Sequence, residues 1–550
     1  MVGCKQWERI SRTMPSISVK QVADFTGGLN YRADQFQLKD NESPDMLNVE
    51  IDPRGGIFSR GGQQNLNPTA ISGSWTPRNL FPFYGATNTL MLKTATTIYK
   101  CTSNVFTTLD YAASTPIVSS NSHGASLAQW GDKLYIATGT GGNGGYVWST
   151  TDTYAFALTA SGTNPNDWQT AINAAYRKMP TAEYIYVHAN KMFAANTVEA
   201  GVAHPNKLRW SLENAPENWA VDDYVDINGG GNGITGLAVV NGNLVIFKPR
   251  AIYVLFGYDS DTFQVVELSN DLGIHSKQQM VQTENGVYFY VRNKGIYFYD
   301  GSSIEYMFSN LEPMFANNYV TNSSNDNITL SWINKRVWLS LPYSTAGTTM
   351  SNATINFVLD PAINNGVYTS FKHHDGAGLI GGCEWVDSSG NDYALMLHPT
   401  SPRVIKVDLY EDESDSTTGT MVPFTSYYRT KWQDGGNYIQ KKMWRRPDFV
   451  LKESSIPSTI AVKVFHDFAE GADQERRIFN LNQTPAGGGL IWGTGNWGEN
   501  WSTGIISSII VTGNNLGLAR TVQIEFSGPS GQRWGINSIG YKYQSRSAKG

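Results

Sequence analysis

Charge is scarce in this chain. Only 16% of its 550 residues are Asp, Glu, Lys or Arg, against roughly 25% in an average soluble domain. The polar surface must therefore come largely from Asn, Ser, Thr and Gly, which costs less to desolvate and suits wide contacts between identical copies. The formal net charge is −5 and the pI about 5.9. That argues against a protein whose whole surface grips nucleic acid, though not against a duct through which DNA slides. Cysteine is nearly missing. Cys4, Cys101 and Cys383 lie far apart and offer neither a disulfide framework nor a CxxC metal knuckle; isolated thiols in a reducing cytoplasm are expected. No apolar run approaches the ~20 residues of a membrane span, and the first residues lack the apolar stretch of a signal peptide. GxSxG, HExxH and P-loop motifs are absent, which removes the commonest sequence signatures of hydrolase and nucleotide chemistry.

Apolar residues, in contrast, make up 40% of the chain and aromatics 12%. That is ample for packed cores, and the length calls for two or three domains. From about Leu80 to Tyr410 one device recurs: an apolar run, a tight polar turn, another apolar run. Within Gly286–Gly301 two β-rich runs flank Arg292-Asn293-Lys294-Gly295; Leu244–Phe247 and Ile252–Phe256 flank Lys248-Pro249-Arg250; Ile328–Trp332 and Val337–Leu341 flank Ile333–Arg336. These read as β-hairpins. With further candidates they begin near residues 90, 134, 184, 244, 287, 328 and 393. Spacings of ~40–50 residues fit the four-stranded blades of a β-propeller, with an insertion near 160–180 carrying a short helical pattern, Trp168–Tyr176. Stacked sandwiches share the same local periodicity and are the rival reading. Residues 411–420 are acidic and polar and predict a linker. Beyond them, short runs at Phe424–Trp432, Asp448–Leu451, Ile460–Phe465, Ile505–Val511 and Val522–Phe526, broken by glycine, predict an antiparallel β-sandwich over 421–550. The fold class is all-β: an extended N-terminal arm over 1–75, a propeller over 76–410, a linker and a sandwich.

The arm is the most patterned stretch. It reads Phe25-Thr-Gly-Gly-Leu-Asn30, then Glu42-Ser-Pro-Asp-Met-Leu-Asn48, then Pro53-Arg-Gly-Gly-Ile-Phe-Ser-Arg60-Gly-Gly. Its paired glycines supply backbone turns closed to other residues. This segment resembles the N-terminal arm of bacteriophage tail nozzle (distal tail tube) proteins of short-tailed phages. Leu208–Trp219, followed by Gly233-Ile-Thr-Gly-Leu237, Leu244–Lys248 and Ala251–Gly257, is similar to a blade of the same proteins. The resemblance implies a structural virion component without enzymatic activity or cofactor, assembled in the host cytoplasm. It implies a ring of about six copies around a channel for double-stranded DNA, touching a head-to-tail adaptor and tail fibre or spike proteins. The arm residues Phe25, Gly27, Gly28, Leu29, Asn30, Gly55, Gly56 and Arg60 become the expected assembly contacts, ordered on joining a neighbour.

Other motifs have plainer readings. Gly139–Gly144 matches GxGxxG by letter, but strand-like Tyr146-Val-Trp148 follows where a helix is required. Ser211–Trp219 resembles the Asp-box turn of sialidase propellers, with Glu213 and Ala215 at the positions of its Asp and Gly. His373-His374-Asp375 could ligate a metal, yet adjacent strand residues point to opposite faces and a third ligand is missing; surface polar residues are expected there. Lys431, Lys441, Lys442, Arg445 and Arg446, interleaved with Trp432, Tyr438 and Trp444, form the one basic concentration. They suit an acidic neighbour, a weak DNA contact, or the solvated face of an edge strand. The 16 Trp and 28 Tyr keep a carbohydrate-binding or depolymerising propeller open as a second function.

Overall fold

The computed structural model describes residues 16–121, 123–141, 144–158, 168, 177–321, 328–346, 348–364, 366–409, 415–416, 421–452, 458–469, 474–483, 509–528 and 533–545. The chain divides into two units: one made of 1–59 with 425–550, the other of 60–424.

The second unit is a β-propeller of seven sheets, six of them four-stranded and antiparallel and the seventh six-stranded. In chain order their first strands are Pro77–Tyr84, Ser126–Trp130, Thr181–His188, Gly236–Val240, Met280–Thr283, Thr329–Ile333 and Ile380–Val386. Each expected hairpin falls in a different sheet. Turn chemistry makes them. Ser103-Asn104, Ala189-Asn190, Ala200-Gly201, Asn241-Gly242 and Asn334-Lys335 all have positive φ at both positions. Each pair joins two directly paired strands, the type I′ geometry whose twist matches the strands it connects.

Strand Asn243–Phe247 explains why the sheets stack. Leu244, Val245, Ile246 and Phe247 are all fully buried, so the usual alternation of apolar and polar residues is lost. Leu244 and Ile246 pack with Tyr184, Phe193 and Leu208 of the third blade. Val245 and Phe247 point the other way, into Val287 and Phe289 of the fifth. A blade is thus apolar on both faces and can be satisfied only between two others. Each such side chain stabilises by about 1.5–3 kcal/mol, and every blade repeats the demand around the ring.

The ring closes in two ways. Gly381 of the seventh blade lies against the first, where a Cβ would stand 2.3 Å from the Arg78 carbonyl oxygen and 2.8 Å from the Asn79 Cα. With φ +52° as well, this position accepts only glycine without strain. The fourth strand of the seventh blade is Gly62–Asn65, which pairs antiparallel with Val404–Leu409. Residues 62–65 therefore belong to the propeller, and the arm boundary expected at 75 is corrected. Strand Val404–Leu409 would otherwise end the sheet with an unpaired edge.

The first unit is built from both ends of the chain. One sheet combines Ile509–Thr512, Asp448–Leu451, Gly535–Ser545, Lys442–Trp444 and Gly517–Ala519 with Ser18–Val22, Val49–Ile51 and Ile57–Ser59. The other combines Met46–Leu47, Tyr427–Arg429, Val522–Ser527, Ser458–His466 and Arg477–Gln483. They pack as a sandwich: the Phe449 ring of the first meets Phe526 edge-on at 5.7 Å and Phe479 at 6.3 Å in the second. The strand expected at Ile505–Val511 is seen as Ile509–Thr512, and four strands at 442–444, 477–483, 517–519 and 535–545 went unpredicted. The Trp168–Tyr176 helical pattern, apart from Trp168, and the glycine breaks at 485–489 and 493–500 lie outside the described residues. So does the 411–420 linker, except that Asp415-Ser416 pairs in parallel with Gln64. Among the described residues no helix is long and apolar enough to cross a membrane.

Candidate functional site

The expected arm contacts turn inward. Phe25 and Leu29 are fully buried, with the Phe25 ring edge-on to Tyr428 at 5.5 Å. The Asn30 side-chain oxygen accepts from the Arg32 and Ala33 amides. A Cβ on Gly27 would meet Asn41 O at 2.7 Å; one on Gly55 would meet Ala23 O at 2.9 Å and one on Gly56 the Asn537 Oδ1 at 2.7 Å. Gly28 has φ +64°. Arg60 lies in the other unit. It is 1% exposed, donates to the carbonyls of Gly61 and Lys372 at 2.7 and 2.9 Å, and stacks 3.7 Å from the Phe424 ring centroid. These residues hold their own chain together. The expectation that they order only on joining a neighbour is corrected, because their apolar side chains already have partners.

The basic concentration comes apart likewise. Lys431 donates to Leu38 O at 2.8 Å and pairs with Asp40 at 3.2 Å. Lys442 is 1% exposed and donates to the carbonyls of Asn437, Gln440 and Arg520. Its strand pairs on both sides, with Gly517–Ala519 and Gly535–Ser545, so it is no edge. Only Lys441, Arg445 and Arg446 remain exposed, with Arg445 donating to Gln544 Oε1 at 2.7 Å.

His373 and Asp375 do gain a third companion, His398. Ligand atoms of the three lie within 4.8 Å of one another, and both histidines are buried rather than on the surface. The proton positions nevertheless oppose a metal. His398 Nδ1 accepts from the Ser401 amide at 2.8 Å, so in the neutral ring Nε2 carries the proton and donates to Asp375 Oδ2 at 2.7 Å. A nitrogen that donates has no lone pair for an ion. Burial would raise the Asp375 carboxyl, but the bonds from His398 and the Ala377 amide outweigh it and hold it well below the usual range. The trio is a structural clasp for the turn that follows Val367–Phe371.

Two features escaped the sequence reading. One is an ionic cluster in the third blade. Glu199, 5% exposed, accepts from Arg209 Nε at 2.6 Å and its terminal nitrogen at 2.9 Å, from Lys207 at 3.0 Å and from the Thr197 hydroxyl at 2.9 Å. The Arg209 guanidinium also lies 4.5 Å from the Trp168 ring centroid. The turn Ser211–Trp219 follows directly, its Trp219 fully buried. The other is a cavity of about 180 Å³ on the propeller axis, lined from the first five blades by Asn79, Lys93, Ser126, Tyr186, Lys277 and Gln278 among others. Neither has a motif, since each assembles residues from separate strands.

No family model and no curated protein matches this chain. Among solved structures, a chain of the "Crystal Structure of Mitotic Checkpoint Complex" is similar over 63% of this chain and 97% of its own length, at 9% identity and a TM-score of 0.36. The propeller assignment rests on the strand pairing and not on that likeness.

Proposed function

We propose that this chain is a non-enzymatic structural component of a bacteriophage tail: a nozzle protein that forms a ring around a DNA channel and takes part in genome retention and ejection. The observation that carries the reading is the sequence resemblance of two stretches, the 25–62 segment and residues 208–257, which run from the third blade into the fourth. The fold gives both a reason to exist. Gly27, Gly55 and Gly56 of the first sit where a Cβ has no room. The second contains Arg209, which pairs with the buried Glu199, the Trp219 turn and the doubly buried strand Asn243–Phe247. A closed propeller, with few free edges, also suits a part that must stay rigid under load. Homo-oligomerisation, adaptor and fibre contacts and passage of double-stranded DNA belong to the same proposal.

The carbohydrate reading is the alternative, and it rests on exposed tyrosines such as Tyr258 and Tyr438 rather than on the buried tryptophans. Trp148, Trp168, Trp219, Trp338, Trp385, Trp444 and Trp534 are all buried and serve as core. Quantitative mass spectrometry of purified particles from the source, counting this chain against the portal, tests the proposal. About six copies beside about twelve of the portal is the expected ratio. Absence from particles removes the nozzle assignment.

A further inference from the structure

The axial cavity of the propeller has the composition of a binding site. Lys93, from strand Asn88–Thr94, is 8% exposed and lines both this cavity and an adjoining one of about 350 Å³. Lys277, from the short 3-10 turn Lys277–Gln279, lines the same two spaces. Its Nζ donates to Ser126 Oγ at 3.3 Å and lies 6.0 Å from the Tyr186 ring centroid. Gln278 is 5% exposed; its amide nitrogen donates to His123 O at 3.2 Å, while its side-chain oxygen is buried without a hydrogen-bond partner. Tyr186 OH donates to Gln282 Oε1 at 2.5 Å, which draws the third and fifth blades together beside the cavity. No aspartate or glutamate lines either space, and neither lysine has a carboxylate within salt-bridge distance among the described residues.

A buried ammonium without a counter-charge is costly. Proteins tolerate one where a ligand supplies the missing charge, or where the group sheds its proton. Here burial, with the neighbouring Lys277 charge, pushes Lys93 down to about 7, and burial pushes Lys277 to about 8. Two cationic donors and the Asn79 carboxamide around a small space form a complementary set for an oxyanion bearing two charges; the Ser126 hydroxyl and the Gln278 amide are already committed to the carbonyls of Ile185 and His123. The volume is far too small for a nucleic-acid strand.

We propose that the axial cavity is a binding site for a small doubly charged oxyanion of the phosphate class, held between Lys93 and Lys277 with the Asn79 side-chain amide as a further hydrogen-bond donor. Such an anion would tie together blades that otherwise present like charges to one another across the axis. The inference does not depend on the nozzle reading.

Calorimetric titration of the full chain with sodium phosphate, against sodium chloride at matched ionic strength, tests it. One saturable site is expected, accompanied by stabilisation that chloride does not give. Lys93→Met and Lys277→Gln should each weaken binding about tenfold or more, the size expected for losing a charge-assisted hydrogen bond. Without phosphate, Lys93→Met should unfold at higher urea than the native chain, because it removes an uncompensated buried cation. Should Lys93→Met fail to fold, Lys277→Gln, at a less buried position, carries the test. A glycerol phosphate arm separates the ligand's sources: binding of both assigns the site to phosphate monoesters, and binding of phosphate alone assigns it to the free anion. No saturable phosphate binding, or undiminished binding in both variants, overturns the proposal.

Discussion

A chain shortened to begin at Arg60 should lose the sandwich and keep the propeller. Residues 16–59 contribute three strands to one sheet and one to the other, and they bury Val22, Phe25, Leu29, Met46, Val49 and Ile57 at 5% exposure or less. At about 1.5–3 kcal/mol for each of these six buried side chains, the loss is about 9–18 kcal/mol. That matches or exceeds the whole stability of a typical domain, about 5–15 kcal/mol. The backbone loses partners too: Gly535–Ser545 pairs with Ser18–Val22 and with Ile57–Ser59. The closing strand Gly62–Asn65 is retained, so the last blade stays complete. Hydrogen exchange should show Val522–Ser527 and Ser458–His466 unprotected while Gly236–Val240 and Asn243–Phe247 keep native protection. Full protection at Val522–Ser527 would mean that the N-terminal segment is an accessory after all. The same result bears on assembly experiments, since a truncation that fails to enter particles would report a missing domain and not a missing contact.

Replacing Glu199 by alanine should destabilise the propeller by about 3–5 kcal/mol, because Arg209 and Lys207 would stay buried without their shared counter-charge. Lys207 and Arg209 are only 8% and 2% exposed in their side chains, so water cannot take the carboxylate's place. Urea denaturation followed by exchange at Val202–Trp210 measures the loss. A change under about 1 kcal/mol would instead mark an exposed pair. A triple apolar replacement, Glu199→Met with Lys207→Met and Arg209→Leu, should recover part of the loss, as paired removal of buried ions often does. The pH dependence has a definite sign. Burial raises the Glu199 carboxyl, but the bonds from Arg209 and Lys207 and the Arg209 charge outweigh it, from 4.5 down to about 2. The folded state therefore holds its proton less tightly than the unfolded chain. The contribution is complete above pH 4.5 and falls away as pH drops from 4.5 towards 2. In the alanine variant that part of the acid sensitivity should vanish.

Local features were legible and distant ones were not. The seven hairpins could be read because a two-residue turn such as Asn334-Lys335 and the apolar runs beside it are neighbours in sequence. The closing strand could not, since its partners lie hundreds of positions away; the Val404 amide donates to Asn67 Oδ1 across 337 residues. The glycines at 27, 28, 55 and 56 announced a constrained backbone correctly. They did not say against what, and an extended segment seen alone reads as an arm when it is two edges of a sandwich. The basic concentration misled for the opposite reason. Lysine composition suggests a surface, yet Lys442 reaches buried carbonyls with its ammonium and buries its stem. His398 completes the clasp on Asp375 from 23 residues away, and the paired lysines of the axis come from the first and fifth blades. No spacing rule joins them.

Electron cryomicroscopy of particle tails tests the nozzle account most directly. The account predicts a closed ring of identical subunits around an axial channel, each carrying a seven-bladed propeller and a sandwich built from both ends of its chain. Tails whose distal channel is lined by another protein, with these propellers absent or held on radial appendages, would contradict it.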